Sequence, residues 1–159
     1  MGLGRAEREK MLAEAEKLMA EYERRQRVDK LKYYTPHARQ ALFHQSPCRN
    51  RWALGGNRTG KTEVGAVECV YLARGCHPYR RVTHAMNGWV VSLSNEVQRD
   101  VAQKKLLSYI NPAWIRSIKM REGRADDPAG GVIDMIQIES LCGGVSKIGW
   151  KTCAQGREK

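Results

Sequence analysis

Apolar positions recur along this chain with two different periods, and the change from one to the other marks out its elements. From residue 5 to about 28 the period is helical. Met11, Leu12, Ala15, Leu18, Met19 and Tyr22 follow one another at three- and four-residue steps, with Glu and Arg on the opposite face. The pattern predicts a charged helical arm over residues 1–30, ahead of a body over 31–159. Pairs such as Glu21 and Arg25 add i,i+4 support. The stripe is too short for a coiled coil, so the arm is expected to pack on the body or on a partner. A second helix is expected within "YYTPHARQALFHQ", with Thr35 as N-cap and Pro36 at the first helical position. After the break at "SPCRN", "RWALG" (51–55) reads as a short, mostly apolar strand. A helix over Thr62 to Arg74 follows, with Val64, Val67, Val70 and Tyr71 on one face and Gly75 closing it.

"GWVVSLS" (88–94) reads as a second buried strand. Ser94 then caps a helix through "NEVQRDVAQKKLLSYI", which Asn111-Pro112 ends. Beyond residue 131 the period falls to two. "VIDMIQIES" and "SKIGWKTCAQ" are expected to pair as a hairpin across "LCGG". Strands alternating with helices predict an α/β fold whose parallel sheet is covered on both faces.

Charge changes this picture. The chain has 159 residues and a net charge of +11. Residues 1–30 carry eight Lys/Arg against seven Asp/Glu, whereas the rest carries twenty against ten. The excess therefore sits on the body, which favours a nucleotide or nucleic-acid partner. Lys104, Lys105, Arg116, Lys119, Arg121 and Arg124 form a loose basic run that either touches phosphates or is solvated surface. No apolar run approaches the roughly 18 residues needed to cross a bilayer, and the charged N-terminus gives no expectation of a secretion signal. The five cysteines form no CxxC pair and are expected to be reduced. Cys69, Cys76, His77 and His84 fit no familiar zinc spacing.

The sharpest motif is "LGGNRTGKTEV" (54–64). Gly55, Gly56, Asn57, Arg58, Thr59, Gly60, Lys61 and Thr62 match the spacing of a loop that wraps phosphates, placed between an expected strand and an expected helix. Glycines let backbone N–H groups converge on a phosphate, and the following helix aims its positive end there. Lys61 is expected to reach the β- and γ-phosphates of ATP, and the Thr62 hydroxyl to hold Mg²⁺. Arg58 has two readings: a transition-state cation folded over the γ-phosphate, or an outward, solvated side chain. Upstream, Gln40 is placed to read adenine through paired hydrogen bonds, and Tyr34 or Phe43 to stack on the base.

Together, "KLKYYTPHARQALFH", "RWALGGNRTGKTEVGAVECV" and "GWVVSLSNEVQRDVAQKKLL" resemble the ATPase domain of tailed-bacteriophage terminase large subunits, the motors that pump genomic DNA into a capsid. The resemblance runs from about residue 28 onward. It implies an ASCE-type P-loop NTPase with ATP and Mg²⁺ as cofactors. It also implies double-stranded DNA, a portal and a small terminase subunit as partners, and the bacterial cytoplasm as location. Gln40 matches the adenine-reading glutamine, Lys61 the Walker A lysine and Thr62 the Mg²⁺ ligand. Several terminases carry an arginine at the third loop position, where this chain has Asn57, and Arg58 comes one residue later. Hydrolysis in such motors also needs an apolar strand ending in Asp-Glu. Glu139 follows an interrupted apolar run, and Asp126 and Asp127 lie in a polar stretch. By the resemblance the acidic strand comes after "IGWKTCAQGREK", so the sheet is expected to be incomplete. The sequence is then the ATP-binding part, not competent in hydrolysis alone, with the nuclease domain absent. A helicase or remodelling translocase, and a non-enzymatic basic module binding nucleic acid or a protein partner, remain as alternatives.

Overall fold

The computed structural model describes residues 5–153, and the expectations for "AQGREK" lie outside them. Helix α1 (Arg5–Val28) and α2 (Ala38–Gln45) precede α3 (Lys61–Arg74), and the first strand is β1 (Asn87–Ser92). A short α4 (Asn95–Val97) runs through a π-helical segment (Gln98–Gln103) into α5 (Lys104–Leu107). A 3₁₀ turn at Pro112–Trp114 leads into β2 (Ile115–Glu122), β3 (Val132–Glu139) and β4 (Val145–Thr152). No described helix is long and apolar enough to cross a membrane.

The fold is α/β, with a four-stranded sheet in the order β1-β4-β3-β2. The sheet is mixed, which corrects the parallel expectation. Only β1 and β4 run parallel, while β2, β3 and β4 form an antiparallel meander. The tight turn at Gly143 and Gly144, both at positive φ, makes β3 and β4 neighbours, and a turn that short permits only antiparallel pairing. Strand β2 escaped the pattern because Arg116, Lys119 and Arg121 mask its inward Ile118 and Met120 at a sheet edge.

Residues 51–55, expected as a strand, have no regular structure. Among the described residues no strand flanks them, so their backbone groups gain no ladder, and Trp52 and Leu54 are 87% and 91% exposed. The helix cap expected at Thr35 falls instead at His37, whose backbone N–H donates to Gln40 Oε1 at 3.1 Å. The helix expected after Ser94 is broken by the π segment, and the physical reason is its glutamines. Residues five apart lie about 140° apart around an α-helix. The wider π turn brings Gln98 and Gln103 onto the core face together. Gln98 Nε2 donates to Ile133 O at 2.7 Å, and Gln103 Oε1 accepts the Ile133 N–H at 3.0 Å.

The core lies between one sheet face and the helices. Ile133, Ile136, Ile138, Ile148 and Trp150 pack against Val67, Val70 and Ala73 of α3 and against Leu106, Tyr109 and Ile110. Each fully buried isoleucine here stabilises the fold by about 1.5–3 kcal/mol. On α3 the predicted face of Val64, Val67 and Val70 is buried, and Gly75 caps the helix at φ 76°. The apolar stripe of the arm is left uncovered by the described residues of the body. Met11, Leu12, Leu18 and Met19 of α1 are exposed, and its Tyr22 meets Tyr33 edge-on at 5.6 Å.

Candidate nucleotide-binding site

Helix α3 begins where the glycine loop ends, and the loop is curled around the first residue of that helix. Lys61 Nζ donates to the carbonyl oxygens of Gly55 at 2.8 Å and Gly56 at 2.5 Å, and to Thr59 Oγ1 at 3.4 Å. The Thr59 hydroxyl in turn donates to Gly56 O at 2.9 Å. Two residues bend the backbone: Arg58 at φ 61° and Gly60 at φ 77°. At Gly60 the left-handed conformation calls for glycine, and a Cβ there would also push aside the Gln40 carboxamide, whose Nε2 would stand 2.6 Å away.

Helix α2 brings Gln40 to the same place. Its carboxamide oxygen accepts the His37 N–H, and its Nε2 donates to Gly60 O at 3.4 Å. Beside it opens a cavity of about 590 Å³, lined by Arg39, Gln40, Phe43, Arg51, Trp52, Gly55, Thr59 and Lys61 among others. No Asp or Glu lines it. Arg39 and Lys61, which make no ion pair among the described residues, favour an anion there, while Arg51 is already paired with Glu68. Phe43 forms part of the wall, with the Arg51 guanidinium 4.6 Å above its ring centre.

Behind the cavity, Glu68 of α3 is the hub of a buried polar cluster. It accepts from Arg51, meets His44 Nδ1 at 2.6 Å and takes His77 Nε2 at 3.1 Å on both oxygens. Burial pushes the Glu68 carboxyl up, but hydrogen bonds from His44, Arg51 and His77 outweigh it and hold the group at about 2. Burial also lowers the His77 pKa. The Tyr79 N–H donates to His77 Nδ1 at 3.1 Å, so the neutral ring carries its proton on Nε2, facing Glu68. His44, Glu68 and His77 offer ligand atoms within 4.8 Å of one another. With a proton rather than a lone pair turned inward and Arg51 on the other side, they form a carboxylate cradle. Its effect is mechanical: Arg51, at the entrance to the loop, is tied to the helix that leaves it.

The structure thus gathers Gly55, Gly56, Thr59, Gly60, Lys61 and Gln40 within one site. Asn57 and Arg58 are exposed at the loop tip and do not line the cavity. Tyr34 lies away from it, hydrogen-bonded to His44 Nε2 at 3.3 Å and edge-on to Tyr109 at 5.8 Å. The exposed Thr62 borders a separate hollow between α3 and β1. For Mg²⁺, Thr62 offers one hydroxyl oxygen; an ion that keeps several waters and takes phosphate oxygens fits so sparse a protein contribution. Glu63 beside it is already engaged by Tyr109 and by Lys105 at 3.7 Å.

The acidic candidates sit elsewhere. Glu139 pairs with Arg116, Asp126 pairs with Arg124, and Asp127 accepts the Gly130 N–H at 3.2 Å. Each cation of the basic run has a carboxylate partner, with Lys119 and Arg121 sharing Asp134 and Lys104 sharing Asp100 with Arg99, so the run is only partly neutralised. Sequence reasoning missed Arg39, Arg51 and Trp52 as cavity lining and the Glu68 cluster behind it. Its one legible sign was a glutamate within the apolar face of α3. No protein-family model, curated protein or solved structure matches the chain.

Proposed function

We propose that the chain binds ATP with Mg²⁺ at the 55–62 loop, as the ATP-binding part of a DNA-packaging motor of the terminase kind. The observation that carries this is the acid-free cavity between Gln40 and Lys61, which opens onto a glycine loop at the start of a 14-residue helix. A triphosphate entering it replaces the Gly55 and Gly56 carbonyls as the partner of the Lys61 ammonium, a charge-assisted exchange that favours the anion. The freed loop then turns backbone N–H groups toward the phosphates, with bending concentrated at Arg58 and Gly60. Gln40 holds the N-terminal side of this movement through Gly60 and has the carboxamide needed to read adenine. Mg²⁺, when bound, neutralises phosphate charge, and Thr62 supplies one oxygen toward it.

Because no carboxylate lines the cavity, water is not activated there by a described residue, and binding without appreciable turnover is the expected behaviour. Coupling to double-stranded DNA, a portal and a small terminase subunit belongs to this reading through the sequence resemblance. Titration with a fluorescent ATP analogue tests the binding step. Saturable, Mg²⁺-dependent binding lost in Lys61→Ala supports it, and equal binding by that variant refutes it. Turnover of about one per second or faster, lost in the same variant, would refute the expected inactivity.

A further inference from the structure

The sheet has a second face, opposite the α3 side, and no described helix covers it. Its central row runs from Trp89 on β1 through Gly149 on β4 and Met135 on β3 to Lys119 on β2. Trp89 is 75% exposed, an unusual state for the largest apolar side chain at mid-strand. Its position is built. A Cβ on Gly149 would stand 3.2 Å from Trp89 Cδ1 and 3.6 Å from Nε1, so glycine lets the indole lie down across the neighbouring strand. On either side of Gly149, two residues away and on the same face, stand Lys147 and Lys151, both exposed. Among the described residues neither makes a direct ion pair, although the Lys151 charge helps lower the pKa of Asp134, whose carboxylate lies 3.5 Å from the Lys119 ammonium. At strand rise the two lysines spring from positions about 13 Å apart, with the ring between them.

We propose that this face binds single-stranded nucleic acid, with one base stacked on Trp89 and backbone phosphates held by Lys147 and Lys151. A flat aromatic ring flanked by two exposed lysines matches the two needs of that ligand: a π-face for an unpaired base and positive charge along the strand. A duplex satisfies only the second need, because its bases are already stacked. The face is separate from the Lys61 cavity and works without ATP.

Fluorescence anisotropy of a labelled 12-nucleotide oligothymidylate with the full chain tests it. Trp89→Ala is expected to weaken binding roughly tenfold, while Trp89→Phe retains most of it. Lys147→Gln with Lys151→Gln is expected to reduce the slope of log affinity against log salt by about 1.4. Lys61→Ala should bind the oligonucleotide as the parent does, which separates this site from the nucleotide cavity. Absence of binding, indifference to both sets of substitutions, or displacement by duplex or polyglutamate as effective as by single strand would each overturn the proposal. Circular dichroism of each variant confirms that the comparison is between folded chains.

Discussion

The two ends of the molecule are held by different physics. At the hairpin end, Ile136, Ile138, Ile148 and Trp150 are wholly buried and the strands are laddered in continuous register. At the loop end, residues 51–59 form no ladder, Trp52 and Leu54 stand in solvent, and the fixings are polar: Arg51 to Glu68, Gln40 to Gly60, Lys61 to two carbonyls. Apolar burial is non-directional and makes a stiff platform. A few directed hydrogen bonds can be exchanged one for another, as a phosphate site requires. The contrast says where the chain resists change and where it is built to accept a ligand.

The contrast can be broken or sharpened by substitution. Trp150→Ala removes the largest fully buried side chain and is expected to cost about 4 kcal/mol in urea unfolding. Glu68→Ala comes next, at about 3 kcal/mol, because it strands the Arg51 charge in a buried site. The same residue predicts an acid profile. The depressed Glu68 pKa gives stability that is complete above its ordinary value of 4.5 and is lost as pH falls toward about 2. His77, lowered by burial, adds an earlier loss as pH drops below 6.5, since the unfolded ring takes up a proton that the folded one resists. Thermal melts from pH 7 to 3 should show both losses in the parent chain, whereas Glu68→Ala should lose the Glu68 step and keep the His77 step.

Gln40→Ala is a smaller change, about 1 kcal/mol, and should speed hydrogen exchange in the loop more than in β4. Trp52→Ser should alter stability by less than about 0.5 kcal/mol. A large loss there would mean that the loop end is packed after all, and the contrast between the ends would fail.

Legibility in the sequence follows the same division. Helices α1 and α3 and the β3–β4 hairpin were readable because one face of each repeats with a clean period. The glycine loop was readable because its spacing is set by covalent geometry rather than by neighbours. Strand β2 was hidden by its own surface charges, and the π segment by two glutamines that serve the core instead of the solvent. The segment 51–55 reads as a strand from composition, but pairing depends on a neighbour, and no local pattern reveals whether one is present. The Glu68 cradle joins residues 24 and 9 positions apart, a distance at which single-sequence patterns carry no information.

Helix α3 is fastened at its far end too. The Leu141 N–H donates to Arg74 O at 2.8 Å, and Ser146 Oγ donates to Ala73 O at 2.7 Å. A 14-residue helix is a rod roughly 21 Å long. With its tail bolted to the β3–β4 turn, it cannot swing to make room for an arriving phosphate. Accommodation must come from the six residues ahead of it, so the cost of opening is confined to a few torsions and leaves the platform undisturbed.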